Sequence, residues 1–182
     1  MNIADLLAAL EASPPAVSIR DSLYLFPLIE SLHVFGLAMV FGTIMIIDLR
    51  LLGLASTRRP FTMMASDILK WTWLAFALTA TTGALMFITN AGVYYHNTYF
   101  RVKMAMLVLS GINTLIFERT ALRSVARWNT EKAAPPAGRT VAALSLLFWI
   151  GVIFMGRWVG FTSTRAAPPT DSDINIESLL PK

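Results

Sequence analysis

The chain has 182 residues, of which 55% are hydrophobic and only 14% are charged. Soluble domains usually carry about a quarter charged residues, so this composition excludes an ordinary water-soluble fold and indicates a membrane protein. The absence of cysteine excludes disulfides, thiolate metal sites and c-type haem attachment, and the net charge of +4 has to be interpreted by position along the chain rather than as a sign of nucleic-acid binding.

The N-terminal segment, residues 1–22, is predicted to lie outside the membrane as an amphipathic segment. Apolar side chains recur there at helical spacing, at Ile3, Leu6, Leu7 and Leu10. We interpret this short helix as a lid that packs on the outer end of the membrane domain.

Four apolar runs follow, over about 23–54, 70–92, 98–120 and 139–162. A span of hydrocarbon needs about 20 residues of helix, and backbone groups in lipid must find their partners within the segment. We therefore predict an all-α integral membrane four-helix bundle over residues 23–162, followed by a polar tail over 163–182.

Basic residues between the runs predict the orientation of the bundle. They cluster between runs one and two and between runs three and four, at Arg50, Arg58, Arg59, Lys70, Arg119, Arg123, Arg127, Lys132 and Arg139. The positive-inside rule makes these loops cytoplasmic. Both termini are then outside, in the periplasm if the chain is a multi-pass protein of the bacterial inner (plasma) membrane.

Aromatic and charged residues at the ends of the runs are expected at the membrane interfaces. The sequence places Trp71, Trp73 and Trp128 at the inner boundary. At the same boundary we expect Asp48 and Arg50 to act as topological anchors and to form a mutual salt bridge.

Polar residues within the runs gather in one layer of the outer half, at Glu30, His33, Asn90, His96, Arg101, Lys103 and Arg157. A titratable side chain in a span is costly and points to function. His33 is the deepest, about 10 Å below the outer end of the first helix. Glu30 shares its helix face and would orient the imidazole, and Gly36 would admit a flat cofactor or a neighbouring helix.

This spacing suits a haem whose axial metal ligand is His33, with haem b as the expected cofactor. Lys103 and Arg157 would then face the propionates, or instead a quinone oxygen or Glu30, although near the surface their side chains can also snorkel to water. His96 lies at the boundary, which argues against a bis-histidine site. Asn113 and the threonines Thr79, Thr81 and Thr82 can form hydrogen bonds across helices, and Ala80, Gly83 and Ala84 offer a small-residue surface.

Several stretches resemble an uncharacterised family of bacterial four-helix inner-membrane proteins. They are residues 29–36 (IESLHVFG), 48–53 (DLRLLG), 100–104 (FRVKM), 111–113 (GIN) and 149–158 (WIGVIFMGRW). Where that resemblance implies a histidine after Phe117, this chain has Glu118. A more distant likeness is to HemJ-type protoporphyrinogen oxidases, which pair a histidine in helix one with a lysine in helix three, as His33 and Lys103 are placed. CopD-type copper-resistance membrane proteins are also similar around their helical histidine.

The leading expectation is an inner-membrane protein that binds a b-type haem or a related redox cofactor in its outer half. The alternative is an accessory subunit of a larger membrane complex, whose polar layer is structural. Gly156 and Gly160 have the spacing of a helix-packing motif, which would serve internal packing, a homo-oligomer or another membrane subunit. Copper handling and small-solute transport are weaker interpretations, and beyond such subunits the expected partners are membrane lipids.

Overall fold

The fold is described from a computed structural model that covers residues 2–131 and 133–165. Within these ranges the chain is helical and contains no β-strand. The helices are α1 Ile3–Glu11, α2 Pro14–Asp21, α3 Leu25–Leu51, α4 Phe61–Thr89, α5 Ala91–His96, α6 Thr98–Arg119, α7 Val125–Trp128 and α8 Pro136–Arg165. Residues 166–182 of the predicted tail lie outside the described residues.

Four helical segments of the described chain are long and apolar enough to cross a membrane. They are α3, α4, the segment Thr98–Trp128 that begins with α6, and Pro136–Ser163 within α8. This confirms the prediction of an all-α membrane protein with four spanning helices. The four helices form two close pairs, because α3 packs along α4 and α6 packs along α8. Contacts between α3 and α8 join the pairs, through a buried cluster that includes Val40, Ala75, Trp149 and Val152.

The first spanning helix ends where Gly53 adopts a φ of 76°. The amide of Gly53 donates to the carbonyl of Arg50, and the amide of Leu54 donates to the carbonyl of Leu49. This is a Schellman motif, and glycine adopts its left-handed conformation without the steric penalty of a Cβ. The helix therefore stops three residues before the end of the apolar run.

The second spanning helix begins at Phe61, earlier than the predicted start near residue 70. The amide of Phe61 donates to the carbonyl of Asn129, and its ring packs against Trp128 at a centroid distance of 5.0 Å. These tertiary contacts hold the first turns in helical form. Hydropathy alone does not predict this earlier start, because Asp67 and Lys70 make the first turns of the helix polar.

We call the end of the bundle that carries α1, α2 and α5 the cap end. The carboxylate of Glu11 accepts from the amide of Gly92 at 2.8 Å, and Arg20 donates to the carbonyl of Thr89 at 3.3 Å. Within α1, the side chain of Leu7 is buried, whereas that of Ile3 is exposed. The N-terminal helices therefore cover the turn between α4 and α5, as expected of a packing lid.

The opposite end, with connections 52–60 and 120–135, is called the basic end. Arg50 is fully buried there, and its guanidinium donates to the carbonyls of Arg59, Asn129 and Glu131 at 3.0 to 3.4 Å. A guanidinium has five donors in a fixed fork, which suits several carbonyl acceptors at once. Arg50 thus ties the two connections to α3, a role different from the expected salt bridge with Asp48.

The interface prediction for Trp128 is also corrected by the structure. Its side chain is only 4% exposed, and its indole N–H donates to the carbonyl of Ala121 at 3.0 Å. Trp71 and Trp73, by contrast, are exposed. Trp128 is therefore part of the core under the connections of the basic end, because its N–H finds a partner inside the protein.

Close packing of α3 on α4 yields a test with a matched control on the same helix. A Cβ at Gly36 would lie 2.5 Å from Thr79 Oγ1 and 3.4 Å from the carbonyl of Ala75, whereas a Cβ at Gly42 would meet nothing within 4 Å. Gly36→Ala should therefore force the helices apart and lower the unfolding free energy by about 1–3 kcal/mol. Thermal unfolding in detergent should show no such loss for Gly42→Ala, and equal melting temperatures for the two variants would contradict this packing.

Candidate functional site

His33 is held by the neighbouring helix α4. Its Nδ1 atom lies 3.0 Å from the carbonyl oxygen of Thr79 and 3.1 Å from Thr82 Oγ1. A carbonyl oxygen can only accept, so Nδ1 carries the hydrogen and donates it. In the neutral ring the lone pair is then on Nε2, which is the arrangement of a histidine that binds a metal through Nε2.

The sequence of α4 explains how it receives the imidazole. Thr82 is buried, and its hydroxyl donates to the carbonyl of Leu78 at 2.7 Å, which leaves the oxygen lone pairs for Nδ1–H. One residue further on, a Cβ at Gly83 would lie 2.9 Å from Cε1 of His33. Only glycine leaves enough room for the ring at this point of the helix.

Lys103 belongs to the other helix pair. It extends from α6 along Gly156 of α8, and its Nζ lies 3.8 Å from the position a Cβ would take there. Its ammonium group acts electrostatically on His33. The site thus combines a histidine from α3 and a lysine from α6. His33 packs against Gly83 of α4, and Lys103 packs against Gly156 of α8.

The two helix pairs also meet where α4 lies beside α6, and this contact is made by side-chain rings rather than by close backbone packing. In the described chain the backbones of α4 and α6 do not pack closely as those of α3 and α4 do. Rings link them instead, with Phe87 stacked on Phe100 at 5.5 Å and Phe61 edge-on to Phe117 at 6.0 Å. These contacts lie near the two ends of the helices, so their middle parts are less tightly joined than either helix pair.

Three other residues predicted for this site lie elsewhere. Gly36 is buried against α4, where a Cβ would lie 2.5 Å from Thr79 Oγ1, so of its two expected roles the structure shows the close helix contact. Glu30 is exposed and does not orient His33, whose hydrogen-bond partners in the described chain are both on α4. Arg157 is also exposed, with its guanidinium 5.2 Å from the centre of the Phe161 ring.

Glu30 acts on a different group at the cap end. Burial raises the pKa of the Tyr94 hydroxyl in α5, and the negative charge of Glu30 raises it further. The Tyr94 ring contacts both Phe87 and Phe100, which are stacked on each other. The carboxylate therefore lies near the aromatic contact that joins α4 to α6.

The second histidine is separate from the site. His96 is exposed in α5, and its Nδ1 lies 2.8 Å from the carbonyl of Gly92. Within the described ranges no group of three or more histidine, aspartate or glutamate side chains is placed to hold a metal ion.

The sequence interpretation missed the residues that orient His33. It identified Thr79 and Thr82 as possible partners across helices and Gly83 as part of a small surface, but it did not connect them with the histidine. Their spacing is a usable signal, because positions 79, 82 and 83 share one helix face. The spacing does not show which residue of α3 lies against this face, because that depends on the register of α3 against α4.

A double-mutant cycle tests the contact between His33 and Gly83 of α4. Gly83→Ala should displace the ring and lower the melting temperature in detergent, because its Cβ would collide with Cε1. The same substitution in a His33→Ala background should have little effect, with a coupling of about 1 kcal/mol or more between the two changes. Gly111→Ala is the control, since a Cβ there would meet nothing within 4 Å. Additive effects of the two substitutions would argue against the contact.

Comparison with known proteins identifies a family for this arrangement. The family described as a family of unknown function (DUF6644) matches residues 23–162. No curated protein and no solved structure matches the chain.

Proposed function

We propose that this chain, which belongs to the DUF6644 family of unknown function, binds a b-type haem or a related redox cofactor through His33. The observation that carries the proposal is the bond from Nδ1 to the carbonyl of Thr79 at 3.0 Å. It leaves Nε2 as the lone-pair nitrogen, and histidine ligands of metals are typically oriented by such a bond from their other nitrogen. Within the described chain no hydrogen-bond partner of Nε2 competes for that role.

The residues around His33 fit such a group in charge as well as in geometry. Lys103 is a half-buried cation within electrostatic reach of the imidazole, and it would pair with a propionate or a quinone oxygen. The distant likeness to HemJ-type protoporphyrinogen oxidases rests on the same pair of residues, and it supports cofactor binding without carrying over the reaction. When bound, haem supplies one-electron chemistry. The protein contributes the ligand, its orientation and the neighbouring positive charge.

The structure changes which residues we assign to the site. Thr79 and Thr82 take the orienting role expected of Glu30, and Gly83 makes room for the imidazole ring, while Gly36 admits the neighbouring helix α4. Arg157 is exposed near Phe161, so we assign its charge to the membrane boundary.

The absorbance spectrum of the purified protein tests this function. After expression in haem-replete cells, the protein in detergent should show a Soret band, and His33→Ala should remove it. Thr82→Val should weaken haem retention about tenfold, as loss of an orienting group commonly does. His96→Ala is the matched control and should retain the band, because this exposed histidine belongs to α5.

The same experiment separates this proposal from its alternative. A protein without a Soret band, or with one that survives His33→Ala, would refute haem binding at His33. An accessory role in a membrane complex would then be favoured by a stoichiometric partner in the purified sample. Gly160 of α8 and Gly111 of α6 have the open space that such a partner would need, and Gly111 lies beside the exposed Val108, Ile112 and Leu115. Gly156 contacts Lys103 and so serves internal packing.

We also propose that the protein is in the bacterial inner membrane with both termini in the periplasm. The excess of Lys and Arg in the connections of the basic end supports this orientation. It would place His33, in the first third of α3, in the periplasmic half.

Single cysteines test the orientation, since the natural chain has none and gives no background. In intact spheroplasts, a membrane-impermeant maleimide should label Ala4→Cys, at an exposed position of α1. Arg58→Cys, exposed between α3 and α4, should be labelled only after the membrane is permeabilised. The reverse pattern would show the opposite orientation.

A further inference from the structure

A buried carboxyl group lies in α3, far from His33. Asp48 is three residues from the end of the helix, and its side chain is only 4% exposed. In the described chain, its Oδ2 atom is buried without a hydrogen-bond partner. Buried polar atoms are nearly always paired, so an orphaned carboxyl oxygen calls for an explanation.

The neighbours of Asp48 do not supply a positive charge to Oδ2. The polar group that acts on the carboxyl is the hydroxyl of Ser145 on α8, which is neutral. Arg50 is two residues further on, but its guanidinium donates to carbonyls of the basic end, and no N–H reaches Oδ2. The other charged residues facing this end from the helices packed on α3 are exposed, namely Asp67 and Lys70 on α4 and Arg139 on α8.

The next polar residue in this region is also neutral. Asn113 of α6 is buried, and its amide donates to the carbonyl of Val141, one turn before Ser145. Asp48, Ser145 and Asn113 thus form a polar layer contributed by α3, α8 and α6. The only acid in this layer is Asp48.

We propose that Asp48 is a proton-binding site, occupied at neutral pH, in the half of the bundle next to the basic end. A carboxylate would leave a full charge buried beside one neutral hydroxyl, which is far more costly than one unpaired O–H group. A metal cation is a poor alternative occupant, because hard cations require several oxygen ligands and the described neighbours of the carboxyl offer one hydroxyl. This site is independent of cofactor binding at His33.

An apolar carbodiimide tests the proposal on the intact protein. The carboxylic acid adds across the C=N bond of the reagent, and the adduct rearranges to a stable N-acylurea with no leaving group. Dicyclohexylcarbodiimide should modify Asp48 at about pH 7 in detergent or in native membrane vesicles. Mass spectrometry should find the added mass of the whole reagent on the peptide that contains Asp48, and the yield should fall as the pH is raised.

Two controls make the result specific. Asp67 is exposed on α4 and should carry several-fold less of the label, because water hydrolyses the first adduct of an exposed carboxyl group before it rearranges to the stable N-acylurea. Sodium chloride and choline chloride should give equal labelling, since the occupant is a proton. Protection by sodium would overturn the proposal in favour of a sodium site.

The decisive negative result does not depend on any variant. If Asp48 carries no label at about pH 7 while circular dichroism shows intact helices, the carboxyl group does not hold a proton and the proposal is refuted. Asp48→Asn should remove the label from this peptide alone. If that variant fails to fold, fragment masses in the wild-type protein still assign the modified residue.

Discussion

The spanning segments of this protein have no water with which to satisfy their polar side chains, and this constraint organises the structure. Three polar side chains of the helices are turned towards acceptors on another segment. Arg50 reaches the carbonyls of two connections, His33 reaches the backbone of α4, and Asn113 reaches the backbone of α8. Backbone carbonyls serve as acceptors in all three cases, because they are the polar groups that a helical bundle supplies everywhere. These bonds link elements whose apolar surfaces alone would not fix their relative positions.

Glycine positions determine how closely the helices approach, and they position the candidate site as a consequence. Gly36 lets α3 contact α4, and Gly83 then receives the ring of His33. In the second pair, Gly151 receives the side chain of Met106 and Gly156 that of Lys103. His33 and Lys103 each occupy the room left by a glycine on the paired helix, and the charge of Lys103 acts on the imidazole. A close helix contact and a functional side chain thus depend on the same small residues.

Both sites we infer contain a polar atom without a partner in the described chain, but the two atoms suit different occupants. His33 has its Nδ1 atom paired and its Nε2 atom without a partner in the described chain, which suits a metal ligand. Asp48 has an orphaned oxygen and neutral neighbours, which suits a proton. Both are on α3, and their fifteen-residue separation corresponds to about 22 Å along the helix. One helix therefore carries a candidate site in each half of the bundle.

Local properties of the sequence alone determined the membrane class, the four spanning helices and the positions of His33 and Lys103 along their helices, because hydropathy and helical rise depend only on the chain itself. The rotation and register of each helix were decided by the tertiary structure. For this reason the orienting role belongs to Thr79 and Thr82 instead of Glu30, Trp128 is in the core instead of at the interface, and Arg50 binds carbonyls. Helices in an apolar medium can turn about their axes at little cost, and only the specific contacts of small and polar residues select one arrangement.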